Sequence, residues 1–458
     1  MANVVFAAKP LTVNPLKVSQ PMGATLAFLG MARTMPLMHS GLGCTAFSKV
    51  FFTRHFREPI PLQTTAMDLV STIAGGDANL HEALDTIASR NTPDIIGLVT
   101  TGLSETQGAD IHRAVRLFRD AHPHHNAIAV VPVNSPDTLG TLETGFALAV
   151  ESAISTLVPE SAVAGRQARH VNILASSMLT PGDVEAIKDW VAAFGLTAVV
   201  LPDLSESLDG RLTPEGYSAL TTGGTTRGAI AGMGAAAATL VIGPSLTRAG
   251  MMLEARTGVP THTFPGLMGL EDCDAFTHAL SRIAGVPVPA AVERQRAQLL
   301  DAMVDCQFLL GSSRLALAAD PDLLGSLCRF LAGMGAGIAA AVTSGKGNGL
   351  SELPVDTVTT GDLEDLERLA RAGAAGLVLS NSHATETAAR LGVPLVHAGF
   401  PQYDRLGGSA RTWVGYRGSR QTLFDLANTL AAGATPIAPY RSIFWDNTAR
   451  AAEMVEPC

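Results

Sequence analysis

Short apolar runs alternate with amphipathic helical segments along most of this chain, and that alternation admits few folds. Strands connected through helices return to the same end of a sheet and so run parallel. The expected class is therefore α/β with mainly parallel sheets. From Asp77, helical spacing aligns Leu80, Leu84 and Ile87, and Pro93 precedes an expected strand over 95–99. A second helix carries Ile111, Val115 and Phe118 toward a strand over 127–133. A long helix over 141–158 closes this region, and the small, polar stretch 159–169 reads as a linker.

The remainder of the chain echoes itself. A strand over 170–175, a helix start at Pro181-Gly182-Asp183, a stop at Phe194-Gly195 and a strand over 198–201 form the first copy. The second has a strand over 315–318, a start at Pro321, a stop at Met334-Gly335 and a strand over 338–342, with helix starts and stops offset by 140 positions. Ala255-Arg256-Thr257-Gly258-Val259-Pro260 is likewise echoed by Ala389-Arg390-Leu391-Gly392-Val393-Pro394. Two related βαβ units joined by a polar helix over 293–306 account for these echoes.

A length of 458 residues accommodates roughly three domains. With 47% hydrophobic and only 16% charged residues, the chain calls for both a deep core and a large subunit interface. A net charge of −9 with dispersed Lys and Arg argues against a nucleic-acid groove or an anionic membrane surface. Residues 1–9 lack the pattern of an export signal. The glycine- and alanine-rich run 228–243 is too short for a membrane span and reads as a buried helix running into a strand. Cysteines at 44, 273, 306, 328 and 458 form no CxxC pair, so a reducing cytoplasm is the expected setting.

Cys44 is the candidate metal-binding residue. Gly41 and Gly43 permit a tight turn after Leu37-Met38, and Ala46, Phe47, Val50 and Phe51 then recur at helical spacing. Cys44 thus falls near a helix N-terminus, where free N–H groups and the helix dipole favour a thiolate. Local sequence leaves a second role open, that of a small buried hydrophobe. Cys273, Cys306, Cys328 and Cys458 read as structural, and acidic neighbours Glu271 and Asp272 should raise the Cys273 thiol.

Other motifs carry less chemistry. Gly333-Met334-Gly335-Ala336-Gly337 ends a helix instead of following a strand, and Gly345-Lys346 lacks the spacing of a phosphate loop. His122, His124 and His125 surround Pro123 at a helix-to-strand turn; clustered imidazoles can bind metal, but with no further ligand nearby in sequence they read as adventitious or solvated. His39 reads as a packing residue, although it could tune a metal centre, and His383 is not expected to be a ligand. Arg54, His55, Arg57 and Glu58 read as a solvated, ion-paired helix end or a docking face. No triad, paired-carboxylate site or zinc motif is evident, so catalytic residues are expected to be none.

Several segments resemble the nitrogenase β-subunit family in order and spacing. They are residues 11–21, the Cys44 loop, Arg54-His55-Phe56-Arg57-Glu58-Pro59, and Thr100-Thr101-Gly102-Leu103-Ser104-Glu105. Ser380-Asn381-Ser382-His383, Gly392-Val393-Pro394, Phe400-Pro401-Gln402-Tyr403-Asp404-Arg405 and Val414-Gly415-Tyr416-Arg417-Gly418 extend the likeness over almost the whole chain. The resemblance implies the nitrogenase component 1 subunit fold, with three Rossmann-like domains over 1–160, 161–300 and 301–458. The family's catalytic β subunit contributes three cysteines to an eight-iron cluster, whereas this chain has Ser19, Cys44 and Gly102 at those positions.

That departure implies the branch of the family that assembles the iron–molybdenum cofactor. It further implies an α2β2 scaffold in which Cys44 completes an interface 4Fe-4S cluster otherwise held by an E subunit. The cofactor precursor would sit mainly in that partner, and the nitrogenase iron protein would dock as reductase. Alternatives from the same resemblance are a catalytic β subunit or a scaffold for a vanadium cofactor. An independent nucleotide-dependent oxidoreductase is disfavoured by the lack of a well-placed GxGxxG.

Overall fold

A computed structural model describes residues 1–10, 15–208 and 218–433, together with 440 and 442. Residues 11–14 of the first family segment and Cys458 lie outside the described residues. All strand pairings between the named strands are parallel, as the helix–strand alternation requires.

The chain begins with β1 (Asn3–Phe6) and then builds three sheets in succession. The first contains β2 (Thr34–His39), β3 (Gln63–Thr64), β4 (Ile95–Thr100) and β5 (Ala129–Val133), in the order β3-β2-β4-β5. The second contains β6 (Gln167–Ala175), β7 (Thr197–Leu201), β8 (Ala236–Ile242) and β9 (Thr261–Phe264), in the order β7-β6-β8-β9. The third contains β10 (Arg314–Ala319), β11 (Gly337–Thr343), β12 (Thr357–Thr360), β13 (Leu377–Ser380) and β14 (Leu395–His397). Its order is β1-β12-β11-β10-β13-β14. β2 and β4 are buried along their whole length, as expected of strands covered by helices on both faces.

The internal echo now has a structural meaning. The order β7-β6-β8-β9 matches β11-β10-β13-β14 strand for strand, and the third sheet adds β12 and β1 at one edge. The helices Pro181–Ala193 and Pro321–Gly333 occupy equivalent places. The two Gly-Val-Pro stops follow helices Thr247–Thr257 and Thr385–Leu391, where Gly258 and Gly392 take φ of 73° and 71°, values that favour glycine.

Three sequence expectations need correction. Residues 3–6 were expected in the N-terminal domain, yet β1 pairs with β12 on the third sheet. A short, largely exposed edge strand carries no burial pattern that would reveal its distant partner. In 228–243, the helix Arg227–Ala231 buries only Ile230, and the burial lies in the following 3-10 turn and in β8. β6 begins at Gln167, inside the expected linker.

The three sheets meet through the N-termini of helices. The helix Leu142–Leu157 brings Glu143 against the helix Pro321–Gly333, where the Asp322 N–H donates to Glu143 Oε2 at 2.8 Å. From the middle region the Ser245 N–H and hydroxyl donate to Asp322 at 3.1 and 2.6 Å. The Ser344 hydroxyl donates to Asp320. Burial raises the Glu143 carboxyl well above its ordinary range, and the Asp322 and Asp320 charges raise it further. Burial likewise pushes Asp320 to about 6.

A second tie is built by the Val414–Gly418 motif. Tyr416 is buried, and its hydroxyl donates to Asp274 at 2.7 Å, while Asp274 also receives two guanidinium N–H groups of Arg296. These contacts join the helices Gly269–Ala284, Ala290–Gly311 and Gly415–Ala432.

Candidate metal centre at the Cys44 edge

Loops that follow parallel strands gather at the carboxyl edge of their sheet. Cys44 follows β2, Gly102 follows β4 and Asp137 follows β5, so all three lie at the same edge of the first sheet. Ser19 joins them as N-cap of the helix Gln20–Leu29, whose preceding Lys17 donates to the Asp137 carbonyl at 3.4 Å. The fold thus brings together the three positions that the family resemblance singles out, and it leaves one thiol among them.

Cys44 is the third residue of the helix Leu42–Phe56, whose N-cap is Gly41. Among the described residues no side chain caps that helix, and its first N–H groups have no intrahelical acceptor. Cys44 is exposed, and its carbonyl accepts a hydrogen bond from the Ser48 hydroxyl at 2.9 Å. Cys273, Cys306 and Cys328 are buried, as their structural reading requires. Burial pushes the Cys328 thiol up to about 12, and burial with Asp272 raises that of Cys273 well above its usual range.

The helix is turned opposite to the simplest reading of its apolar stripe. Thr45, Ser48, Phe52 and Phe56 face inward, while Leu42, Phe47 and Val50 are exposed and Phe51 is half-buried. Helical period identifies an apolar face, but it does not say whether that face meets the core or another chain. The short helix Leu69–Ala74 continues the exposed surface with Leu69, Val70 and Ile73, each more than two-thirds exposed. It is held at this edge because the Met67 N–H donates to the Ser40 carbonyl and Gln107 donates to the Ser71 carbonyl.

Gly102 shows how completely the third cysteine position has changed. Its N–H donates to Asp137 Oδ2 at 2.8 Å, and a side-chain carbon at residue 102 would lie 2.9 Å from that same oxygen. The carboxylate therefore stands where a thiol would have to grow. Asp137 was not evident from sequence, because only the pairing of β4 with β5 brings it to Gly102.

The charged end of the Cys44 helix leaves Arg54 and Arg57 exposed, as a solvated end would, but it is also an intramolecular seat. Arg54 stacks over the Tyr403 ring at 4.3 Å, and Arg57 donates to the Tyr403 carbonyl at 2.9 Å. His55 Nδ1 accepts the Gln402 N–H at 2.8 Å, with its ring against Phe56 and Phe400. His383 meets Phe51 edge-on, and Asp404 binds the hydroxyls of Ser382 and Thr385. Three sequence segments quoted for the resemblance thus converge on one helix.

Burial holds the His55 imidazole neutral, with its pKa down at about 3 despite the Gln402 contact. An unfolded chain protonates this side chain below about pH 6.5, whereas the folded chain resists until about 3. Stability should therefore be lost as pH falls through that window, by up to about 1.4 kcal/mol per pH unit. His55→Gln, which keeps an acceptor, is expected to flatten the acid limb of a plot of thermal midpoint against pH. An unchanged slope would disprove this assignment.

His39 is fully buried, with Nδ1 3.0 Å from the Thr65 hydroxyl and its ring against Gly76, in keeping with a packing residue. Gly335, at φ 78°, ends its helix as expected. No helix among the described residues is long and apolar enough to cross a membrane.

Comparison with known proteins agrees with this geometry. The family model described as nitrogenase component 1 type oxidoreductase matches residues 19–431. The nitrogenase iron-molybdenum cofactor biosynthesis protein NifN of Klebsiella pneumoniae is 46% identical over 442 residues, covering 96% of each chain. The protein of the same name from Rippkaea orientalis is 47% identical over 94% of this chain and 96% of its own. A solved structure of nitrogenase Cp1 at pH 6.5 superposes with a TM-score of 0.86 at 30% identity, covering 93% of this chain and 94% of that one.

Proposed function

Because the chain belongs to the nitrogenase component 1 type oxidoreductase family, we propose that it is one subunit of a scaffold on which the iron–molybdenum cofactor is assembled. The relatives named for that biosynthesis support the assignment. The observation that carries it is the exposed Cys44 thiol set in an exposed apolar surface, at an edge where the two neighbouring family positions carry no sulfur.

A cubane cluster takes about four cysteine ligands, so Cys44 alone cannot hold one. Its chemistry fits a single ligand at a subunit boundary. Cys44 would complete a 4Fe-4S cluster whose other thiolates come from an E subunit, and the bound cluster would supply one-electron transfer. Leu42, Phe47, Val50, Leu69, Val70 and Ile73 would exclude water once covered.

A second exposed stripe, Leu300, Val304 and Phe308 on the helix Ala290–Gly311, offers a separate face for pairing two such heterodimers into an α2β2 assembly. The cofactor precursor would reside mainly in the E subunit, and the nitrogenase iron protein would dock as the electron donor. This chain's own part is shape, interface and one thiolate, in the cytoplasm. Asp137 beside Gly102 weighs against a catalytic β subunit, which would need sulfur there.

Co-expression with an E-type partner under anaerobic conditions tests the proposal. Cys44→Ala should remove one four-iron centre, read by iron content and the paramagnetic signal, while the two chains still co-purify. An unchanged signal would make Cys44 a structural residue.

A further inference from the structure

We propose that Asp85, His122 and His124 form a binding site for a divalent first-row transition ion of the zinc type, apart from the Cys44 edge. The sequence offers no further ligand near these histidines, but Asp85, on the helix Asp77–Asn91, packs beside the turn that carries them. One ligand atom from each of the three residues lies within 4.8 Å of the others.

The turn presents its imidazoles in a defined way. His122 follows the helix Ile111–Ala121, and Pro123 starts the single 3-10 turn Pro123–His125 that leads to β5. His122 Nδ1 stands 3.5 Å from Asp85 Oδ1. Zinc bonds of about 2.0–2.2 Å place tetrahedral ligand atoms roughly 3.3–3.6 Å apart, so this pair already has the spacing. His124 is exposed and can swing inward to complete a three-residue set with an open position for water.

His125 has a supporting part. Its Nε2 lies 3.2 Å from the same Asp85 oxygen and 3.3 Å from the Ser89 hydroxyl. Hydrogen-bonded support of this kind fixes a ligating carboxylate. Phe118 stacks on both His122 and His125, with ring centroids at 5.0 and 6.2 Å, and restrains the imidazoles. Two nitrogens with one carboxylate suit zinc, cobalt or nickel, whereas calcium and magnesium favour all-oxygen sets. The turn precedes β5, so the site lies toward the amino edge of the first sheet, opposite the edge that bears Cys44.

The test is calorimetric titration of Zn2+ into the untagged full-length chain, stripped by chelator and carrying Cys44→Ala to remove the competing thiolate. One ion per chain is expected. The His122→Ala/His124→Ala pair should weaken binding at least a hundredfold, and His125→Ala about tenfold. Zinc should raise the thermal midpoint of the parent but not of the double variant. Equal midpoints without metal would show that the double variant is folded. Undiminished binding in the double variant would overturn the site, as would absence of binding in the parent; the latter would leave Asp85 with an ordinary ion pair.

Discussion

Gly23→Ala is expected to destabilise the chain on the order of 3 kcal/mol, read as a lower midpoint in thermal or denaturant unfolding. All ten residues of the helix Gln20–Leu29 are buried, and the helix lies against Leu142–Leu157 with glycines at the crossing. A methyl group on Gly23 would be driven into the Leu142 carbonyl, and one on Gly145 into the Gln20 carbonyl. Both obstacles are backbone, so no side chain can rotate away, and the helices must separate along their shared face. Gly145→Ala should cost a similar amount. The double variant should cost less than the sum, because the same separation relieves both clashes. Full additivity, or a Gly23→Ala chain as stable as its parent, would refute the close crossing.

Glu143→Ala should cost on the order of 3 kcal/mol, through the buried Asp322 N–H left without an acceptor and the cavity beside it. Glu143→Gln should behave in the opposite sense above neutral pH. Its amide oxygen can still accept from Asp322, and no charge has to be removed from water. Because folding raises the Glu143 carboxyl, the folded chain binds that proton more tightly than the unfolded one. The associated stability is greatest in acid and is lost as pH rises above the ordinary carboxylate value of 4.5. The difference in thermal midpoint between Glu143→Gln and the parent should therefore grow in favour of the variant with rising pH. His55 acts equally in both chains and cancels from that difference. A pH-independent difference would show that Glu143 is ionised in the folded junction.

The alternation of strands and helices was legible because it arises from local periodicity, and the 140-residue echo anticipated two sheets with the same strand order. Cys44 could be placed near a helix start from Gly41, Gly43 and the helical spacing of the apolar residues that follow. The direction of its apolar stripe could not, since Phe47 and Phe52 are equally apolar and only the fold turns one outward. Asp137 beside Gly102, Asp85 beside His122 and Glu143 beside Asp322 were hidden for a common reason. Each pair is separated by 35 or more residues and joined only by packing between strands or helices. Leu69, Val70 and Ile73 did leave a signal, an apolar cluster in a helix too short to bury it.

The pairing of β1 with β12 also has a consequence for how the chain is made. Asn3–Phe6 are synthesised about 350 residues before their partners Thr357–Thr360. At about 5–20 residues per second, the amino-terminal strand waits tens of seconds for its place. The first two sheets can form in that interval, while the third cannot be completed until β12 to β14 have followed β1 out of the ribosome. Changes next to Asn3 would therefore bear on the closing of the third sheet, a late step, although they lie far upstream of most of that sheet.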